Sequence, residues 1–181
     1  LKNCMATVLE VKKQEPLSYS LHLAVAPTKL NDRYEWFLEK ATEIGITEIT
    51  PIICNHSERK AVKIDRFEKK IQSAMKQSLN GYLPKINKAI AFGDFLKLQE
   101  GNLHQKLIAH CEEGTKKSLK SVLKPNDNTT LLIGPEGDLS TNEISESIKA
   151  GFIPVTLGNN RLRTETAAIV ACHSVAFFNE D

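Results

Sequence analysis

The sequence predicts an α/β protein in which helices flank a parallel β-sheet. Short apolar runs alternate with amphipathic stretches along the 181 residues, which is typical of strands joined by crossover helices. Two of the runs near the C-terminus end in glycine-bearing loops that lead directly into helices. Hydrophobic residues make up 41% of the chain, an ordinary value for a globular protein with a buried core. The length fits one main domain.

The remaining elements follow from periodicity and turn residues. The strands predicted before the two loops are residues 21–26, 48–54, 86–92 and 106–111. Asp32 is the predicted N-cap of a first helix that Gly45 ends, and its predicted inner face contains Trp36, Phe37, the Lys40 stem, Ala41 and Ile44. Further helices are predicted at 66–79 and 94–99, and residues 115–125 are interpreted as a loop with a helical turn. Pro51, near the start of the second strand, predicts a strand edge or entry.

The two C-terminal loops are the most informative segments. Residues 130–133 read as a buried strand, Gly-Pro-Glu-Gly at 134–137 is turn chemistry, and Ser140 with Glu143 forms a predicted capping box. Residues 154–157 read as the next strand, with Thr164 as the predicted cap of the following helix. Because the carboxyl ends of parallel strands share one edge of the sheet, we expect the two loops to lie side by side where such folds bind ligands.

Arg161 and Arg163 lie just before a predicted helix N-terminus, where acidic residues are the stabilising choice. Two cations at this position indicate a compensating anion. Glu165, a ligand carboxylate and a nucleic-acid phosphate are the candidates. The alternative is that both arginines point into solvent and contribute little.

Residues 167–178 are apolar nearly all round. A helix of this kind packs either against the core or against a partner subunit. We therefore expect a homodimer whose interface uses this helix.

The positive charges are unevenly distributed. Formal net charge is +2, but the first 90 residues carry the excess of Lys and Arg. The basic residues concentrate at Arg59, Lys60, Lys63, Arg66, Lys69, Lys70 and Lys76. Such a face can bind phosphates. Interspersed Glu58, Asp65 and Glu68 leave a solvated helix face as the other interpretation.

Several classes of function are not favoured by the sequence. No apolar run approaches the roughly 20 residues that a membrane helix needs, and no secretory signal is visible. The four cysteines, at 4, 54, 111 and 172, lack Cys-x-x-Cys spacing. Cys54 with His56, and His110 with Cys111, offer too few ligands for a zinc site. We expect reduced thiols, a cytoplasmic location and no metal.

The chain resembles the RsmE family, SPOUT-superfamily methyltransferases that act on uridine N3 of small-subunit (16S) ribosomal RNA. The resemblance runs from about Leu21 to the C-terminus and rests on an ordered set of motifs. These are Glu-Trp-Phe-Leu-Glu-Lys-Ala-Thr-Glu-Ile-Gly at 35–45, Ile-Thr-Pro at 49–51, Ser-Glu-Arg at 57–59, Gln-Ser at 77–78 with Pro84 downstream, Gly-Pro-Glu-Gly-Asp at 134–138, Glu-Ile at 143–144, Leu-Gly at 157–158 and Leu-Arg-Thr-Glu-Thr-Ala at 162–167.

The chain departs from the family pattern at three places. Asp138 replaces the second glycine of the first loop, and a short polar residue can tolerate an unusual backbone there. Asn80 stands where many relatives have arginine, which puts one RNA or substrate contact in doubt. The family begins with a PUA-like RNA-binding β-barrel, whereas here only a remnant of it would fit in residues 1–18. The expected organisation is that remnant followed by a SPOUT methyltransferase domain at 19–181.

The resemblance implies a C-terminal trefoil knot with the two loops as its walls, and S-adenosylmethionine (SAM) as cofactor. It assigns cofactor binding to Ile133, Gly134, Pro135, Glu136, Gly137, Leu157, Gly158, Leu162, Arg163, Thr164, Thr166 and Ala167. Glycines let the backbone approach a ligand closely, and the aliphatic side chains can contact adenine. The implied partners are ribosomal RNA, the small ribosomal subunit and a second copy of the chain.

Methylation of uridine N3 needs positioning of the reactants, a proton acceptor and stabilisation of the developing imide anion. Arg163 is the candidate for holding that anion or a nearby phosphate. Glu165 is the candidate orienter or base, although an acid in the first turn can simply stabilise its helix. Two other functions remain open: methylation of another RNA position, and a non-catalytic RNA-binding or ribosome-assembly module.

Overall fold

A computed structural model describes residues 4–180, and in them helices cover both faces of a parallel sheet. The strands are β1 Ser20–Val25, β2 Glu48–Ile53, β3 Lys85–Ile86, β4 Ile90–Ala91, β5 Gln105–Ala109, β6 Lys117–Ser118, β7 Asn128–Ile133 and β8 Ile153–Thr156. The helices are α1 Asn31–Ile44, α2 Ile64–Gln77, α3 Phe92–Leu98, α4 Leu119–Val122, α5 Thr141–Lys149 and α6 Thr164–Phe178. The predicted fold class, a parallel sheet flanked by helices, is therefore confirmed.

Alternation of side chains along the strands produces two cores. On β1, Leu21 and Leu23 contribute to the core that contains α1, α2 and α6, whereas Ala24 belongs to the core with α3 and α5. On β7, Leu131 and Leu132 divide between the two cores in the same way. A sheet buried on both faces explains why these strands read as continuous apolar runs.

The strand order is β3-β2-β1-β7-β5-β8-β6, with β4 pairing to β2, and every pairing is parallel. The two loops follow the carboxyl ends of strands in one parallel sheet, as expected, although β5 lies between these strands, β7 and β8. The carboxyl end of β5 therefore lies between the two loops. Strand order alone does not test the trefoil knot, which stays a prediction.

Helix α1 differs from the sequence prediction at its start and on its inner face. Asp32 does not cap it: the helix begins at Asn31 without a side-chain cap. Trp36 is 47% exposed and Tyr34, which was not on the predicted face, is buried, while Phe37 is buried as predicted. The inner face differs because the helix packs against α2 and α6. The end at Gly45 is confirmed, since this residue adopts a left-handed conformation at φ 119°.

The other elements deviate mainly at their ends. Helix α2 starts two residues earlier than predicted and stops before Leu79, whose side chain is 87% exposed. The predicted strand 86–92 is two short strands, β3 and β4, with Phe92 beginning α3. Pro51 lies in an interior strand, between the stretch of β2 that pairs with β3 and the stretch that pairs with β4. The helical turn predicted within 115–125 is α4, preceded by the unpredicted β6.

Residues 4–18 contain no helix or strand, and their side chains are exposed. Gln14 ties them to the domain: its carbonyl accepts from the Tyr82 hydroxyl at 2.8 Å, and its side-chain oxygen accepts from the Gly81 amide. The boundary between residues 18 and 19 stays a prediction, and positions 1–3 and 181 lie outside the described residues. None of the helices in the described part of the chain has the length and hydropathy needed to cross a bilayer.

Candidate active-site cleft

A cleft of about 590 Å³ lies where β5, β7 and β8 end and α6 begins. Its size falls within the roughly 300 to 1,000 Å³ typical of small-molecule sites. The lining residues are Ala109, His110, Cys111, Lys116, Ile133, Gly134, Pro135, Glu136, Asp138, Val155, Thr156, Leu157, Gly158, Asn159, Asn160, Arg161, Leu162, Arg163, Thr164 and Ala167. The site is therefore at the carboxyl edge of the sheet, as the sequence predicted.

The loop between β7 and α5 is shaped by local packing and by a tether to β5. A Cβ on Gly134 would lie 2.8 Å from the Leu139 Cγ, so only glycine fits there. Asp138 adopts φ 63°. Its carboxylate accepts hydrogen bonds from the amides of Leu139 at 2.9 Å and Cys111 at 2.7 Å. The residue that replaces the family glycine thus tolerates the left-handed backbone, as expected, and also joins the loop to the strand lying between the two loops.

Helix α5 begins with the predicted capping box. The Ser140 hydroxyl accepts from the Glu143 amide, and the Glu143 carboxylate accepts from the Ser140 amide at 2.8 Å. The same Glu143 side chain accepts from the Asn55 amide at 2.9 Å, which also fixes the β2–α2 connection beside this loop. The capping box, readable from four residues of sequence, is confirmed.

The loop between β8 and α6 depends on Gly158 and Thr164. Gly158 has φ 141°, a conformation that side-chain-bearing residues rarely adopt, and no atom lies within 4 Å of where its Cβ would be. Thr164 does not cap α6 as predicted: Arg163 is the N-cap and provides no side-chain cap. The Thr164 hydroxyl instead donates to the Gly134 carbonyl at 3.1 Å. This bond links the two walls of the cleft.

Arg161 and Arg163 are exposed and line the cleft. Among the described residues, no carboxylate lies within 4.0 Å of either guanidinium. Glu165, one candidate counter-anion, lies 3.8 Å from the Arg33 Nε instead. The two arginines are therefore available to an external anion.

His110, at the end of β5, is a cleft residue that the sequence analysis did not identify as one. Neither of its buried ring nitrogens has a hydrogen-bond partner in the part of the chain that the structure describes. Burial lowers its pKa, and the nearby Lys116 ammonium lowers it further, against the opposing effect of Asp138 and Glu112. The imidazole is therefore neutral at pH 7. Only the position of β5 between the two loops brings His110 here, and no local sequence pattern encodes that pairing.

Ten of the twelve predicted cofactor residues line the cleft, the exceptions being Gly137 and Thr166. Gly137 faces outward, and its Cβ would lie 3.1 Å from the His56 Cβ. Of the two candidate catalytic residues, Arg163 lines the cleft. Glu165 does not: it is only 6% exposed, and its Oε2 has no hydrogen-bond partner among the described residues.

Two neighbouring loops are bound to the outer side of this site. The His56 Nδ1 lies 3.1 Å from the carbonyl oxygens of both Gly137 and Asp138, so it must donate. The Lys29 amide donates to the Glu136 carboxylate at 2.9 Å. The connections that follow β1 and β2 therefore support the β7–α5 loop. Across residues 4–180, no cluster of three or more His, Cys, Asp or Glu side chains could hold a metal ion.

The chain matches a family model described as RNA methyltransferase domain over residues 14–176. It is 37% identical over 154 residues to the ribosomal RNA small subunit methyltransferase E of Mesomycoplasma hyopneumoniae (strain 232), covering 82% of this chain and 65% of that protein. The chain thus spans less than two thirds of the length of this relative.

Two solved structures have the same fold. One is a crystal structure of a probable rRNA-methyltransferase from Porphyromonas gingivalis, with TM-score 0.86 and 38% identity, covering 93% of this chain and 71% of that one. The other is a ribosomal RNA small subunit methyltransferase E from Neisseria gonorrhoeae bound to S-adenosyl methionine. Its TM-score is 0.80 at 29% identity, and the match covers 91% of this chain and 67% of that one.

The Asp138 tether predicts a graded response to substitution. Asp138→Ala removes both amide hydrogen bonds. It also leaves alanine, which has no polar side chain to stabilise it, in the left-handed conformation. We therefore expect a loss of roughly 1 to 3 kcal/mol in the free energy of unfolding. Asp138→Asn keeps one acceptor oxygen and tolerates the backbone, so it should lose less. Urea unfolding of both variants measures the difference, and equal stability of Asp138→Ala and the parent would contradict the tether.

Proposed function

The chain belongs to the RNA methyltransferase domain family, and on that premise we propose that it transfers the methyl group of SAM to N3 of a uridine in small-subunit (16S) ribosomal RNA in the cytoplasm. The observation that carries the proposal is the cleft, in which an aliphatic and glycine-bearing pocket adjoins two arginines without carboxylate partners. A pocket of this kind suits a nucleoside cofactor on one side and an anionic reactant on the other.

The residues present fit SAM. Ile133, Leu157 and Leu162 supply apolar surface for adenine, and Gly158 leaves open space where a side chain would lie. Backbone amides and carbonyls of the two loops offer hydrogen bonds at fixed positions, because Thr164 and Asp138 hold those loops. We assign cofactor binding to the ten predicted residues that line the cleft.

Bound SAM supplies an electrophilic methyl group, and its transfer forms the N3–CH₃ bond as the S–CH₃ bond breaks and the N3 proton passes to a base. Arg163 is positioned to stabilise the imide anion that develops on the uracil ring, since its exposed guanidinium lies at the mouth of the cleft. Arg161 beside it can bind a neighbouring phosphate.

Glu165 acts as an orienter in this proposal. Its carboxylate is buried outside the cleft and faces Arg33. It therefore orients Arg33 and does not act as the base in the cleft. The carboxylates and the imidazole that do line the cleft are those of Glu136, Asp138 and His110. Of these, the neutral His110 imidazole has ring nitrogens without hydrogen-bond partners among the described residues.

Two alternatives differ from this proposal in what they predict. Methylation of another RNA position would give the same cofactor binding and a different modified nucleoside. A non-catalytic RNA-binding or ribosome-assembly module would bind RNA without transferring methyl groups. The intact Leu-Arg-Thr-Glu-Thr-Ala segment at 162–167 favours an enzyme.

Methyl transfer to unmodified small ribosomal subunits tests the proposal directly. Digestion of the RNA to nucleosides and mass spectrometry should detect 3-methyluridine with the parent chain. Arg163→Ala should lower the rate at saturating SAM by on the order of 100-fold, because removing a donor to a developing anion costs about this much. Arg163→Lys, which keeps the charge, serves as the matched control. A different methylated nucleoside, or none, would contradict the assignment.

We also propose that the chain works as a homodimer through α6. Val175 of this helix is 1% exposed and belongs to the core of the single chain, so it does not report on a dimer contact. Phe177 is 66% exposed and stacks on His173. It is the large apolar side chain that α6 leaves open to a partner.

Sedimentation at micromolar concentration should give a dimer with an interface on the order of 2,000 Å². Phe177→Asp should weaken the dimer and leave the fold intact, because the side chain is on the surface. Leu98→Asp, at a residue 65% exposed on α3 across the sheet, is the matched control and should remain dimeric. A monomeric parent that binds SAM normally would refute the dimer and its contribution to the site.

A further inference from the structure

Arginines near the starts of three neighbouring helices lie along the same edge of the sheet as the cleft. Arg163 precedes α6, and Arg33 and Arg66 are each the third residue of α1 and α2. Pairing between helices fixes their order: Arg33 lies 3.8 Å from Glu165 of α6, and the Arg66 Nη2 donates to Glu35 of α1 at 3.0 Å. Both glutamates are buried, whereas the arginine side chains remain 37% and 57% exposed. Each arginine is thus held in place with donors left for an outside acceptor.

Three further cations extend this row beyond α1. The Arg59 guanidinium donates to the carbonyls of Thr28 at 3.2 Å and Lys29 at 2.8 Å, so it is immobilised without being neutralised. Lys60 and Lys63 are exposed, and within residues 4–180 neither has a carboxylate within 4.0 Å.

Acidic residues offset only part of this charge. Lys29 is paired with Glu58 at 2.8 Å, and Asp32 lies 3.7 Å from Arg66. Asp65, in the first turn of α2, is exposed. Along this edge, the described cations without a carboxylate partner are Arg59, Lys60 and Lys63, and the two arginines of the cleft.

The basic residues are continuous with the cleft. Glu136 lines the cleft and accepts a hydrogen bond from the Lys29 amide. Lys29 in turn lines a second, shallower cleft of about 300 Å³ together with Glu58, Arg59, Lys60 and Ala61. A chain leaving the methyl-transfer site past Glu136 would pass directly over these cations.

We propose that this basic rim, defined as Lys29, Arg33, Arg59, Lys60, Lys63 and Arg66, binds the phosphodiester backbone of the RNA strand that flanks the target uridine. The inference rests on the proposed function and adds the surface along which the substrate lies. A single strand fits the rim because its backbone can follow a row of cations while one base enters the cleft. The rim contacts phosphates and so sets the position of the strand without reading its sequence.

Charge reversal at Lys60 and Lys63 tests the rim. The double variant Lys60→Glu, Lys63→Glu should bind a uridine-rich single-stranded RNA between tenfold and one-hundredfold more weakly at 0.1 M salt, because each phosphate contact with a single strand contributes about 0.7 to the slope of log K against log salt. That slope should fall by between one and two units. Calorimetry with SAM should show unchanged cofactor affinity, since neither lysine lines the cleft.

The matched control is Lys120→Glu, Lys124→Glu. Both lysines are exposed and belong to α4 and the turn after it. This turn contacts the C-terminal end of α6, where the Asn126 amide donates to Asn179, about 20 Å from the start of that helix. The control should bind RNA nearly as tightly as the parent. Lys60→Gln, Lys63→Gln removes the charge without reversing it and should give an intermediate loss, which separates phosphate binding from repulsion.

The outcomes are distinguishable from those for the proposed function. If the rim variant binds RNA with the affinity and salt slope of the parent, or if the control loses as much, the rim assignment is overturned even where the parent methylates ribosomal RNA. If the rim variant alone loses RNA binding, the rim is supported, and a parent that then transfers no methyl group would overturn the proposed function only.

Discussion

The hydrogen bond from the Thr164 hydroxyl to the Gly134 carbonyl joins the two loops on which the site depends. Among the described residues, no other hydrogen bond joins the loop after β7 directly to the loop after β8, and β5 separates the two strands. The bond buries the first residue of α6 against the strand end that supplies the opposite wall. The cleft therefore depends on two features: β5 separates the two loops, and the Thr164 hydrogen bond links them.

The β5 strand also determines the chemistry of the cleft floor. Its end contributes His110, neutral at pH 7 because burial lowers its pKa, and the Cys111 amide that donates a hydrogen bond to the Asp138 carboxylate. On the other side, the connections after β1 and β2 support the same loop through Lys29 and His56. The cofactor side and the proposed RNA side therefore share one loop, which Lys29 and His56 support from the RNA side.

Local patterns made the parallel sheet, the capping box at Ser140 and the end of α1 at Gly45 predictable, because neighbouring residues determine each of them. The place of the cleft was predictable too, since its loops follow strand ends, whereas its individual residues came from the resemblance to the RsmE family. Strand order was not predictable, because pairing of β5 between β7 and β8 is a long-range choice that leaves no periodicity. His110 was missed for that reason. The prediction that Thr164 caps α6 was wrong because its hydroxyl donates a hydrogen bond to the Gly134 carbonyl, which is distant in sequence and leaves no local pattern.

Calorimetric titration with SAM tests most directly whether the two loops form the cofactor site. Gly158→Val and Gly151→Val both place a branched side chain at a positive φ with no atom within 4 Å of the Cβ, but only Gly158 lines the cleft. The account predicts that the parent and Gly151→Val bind SAM with similar affinity, whereas Gly158→Val loses binding. Equal affinity in both variants would contradict the placement of the cofactor.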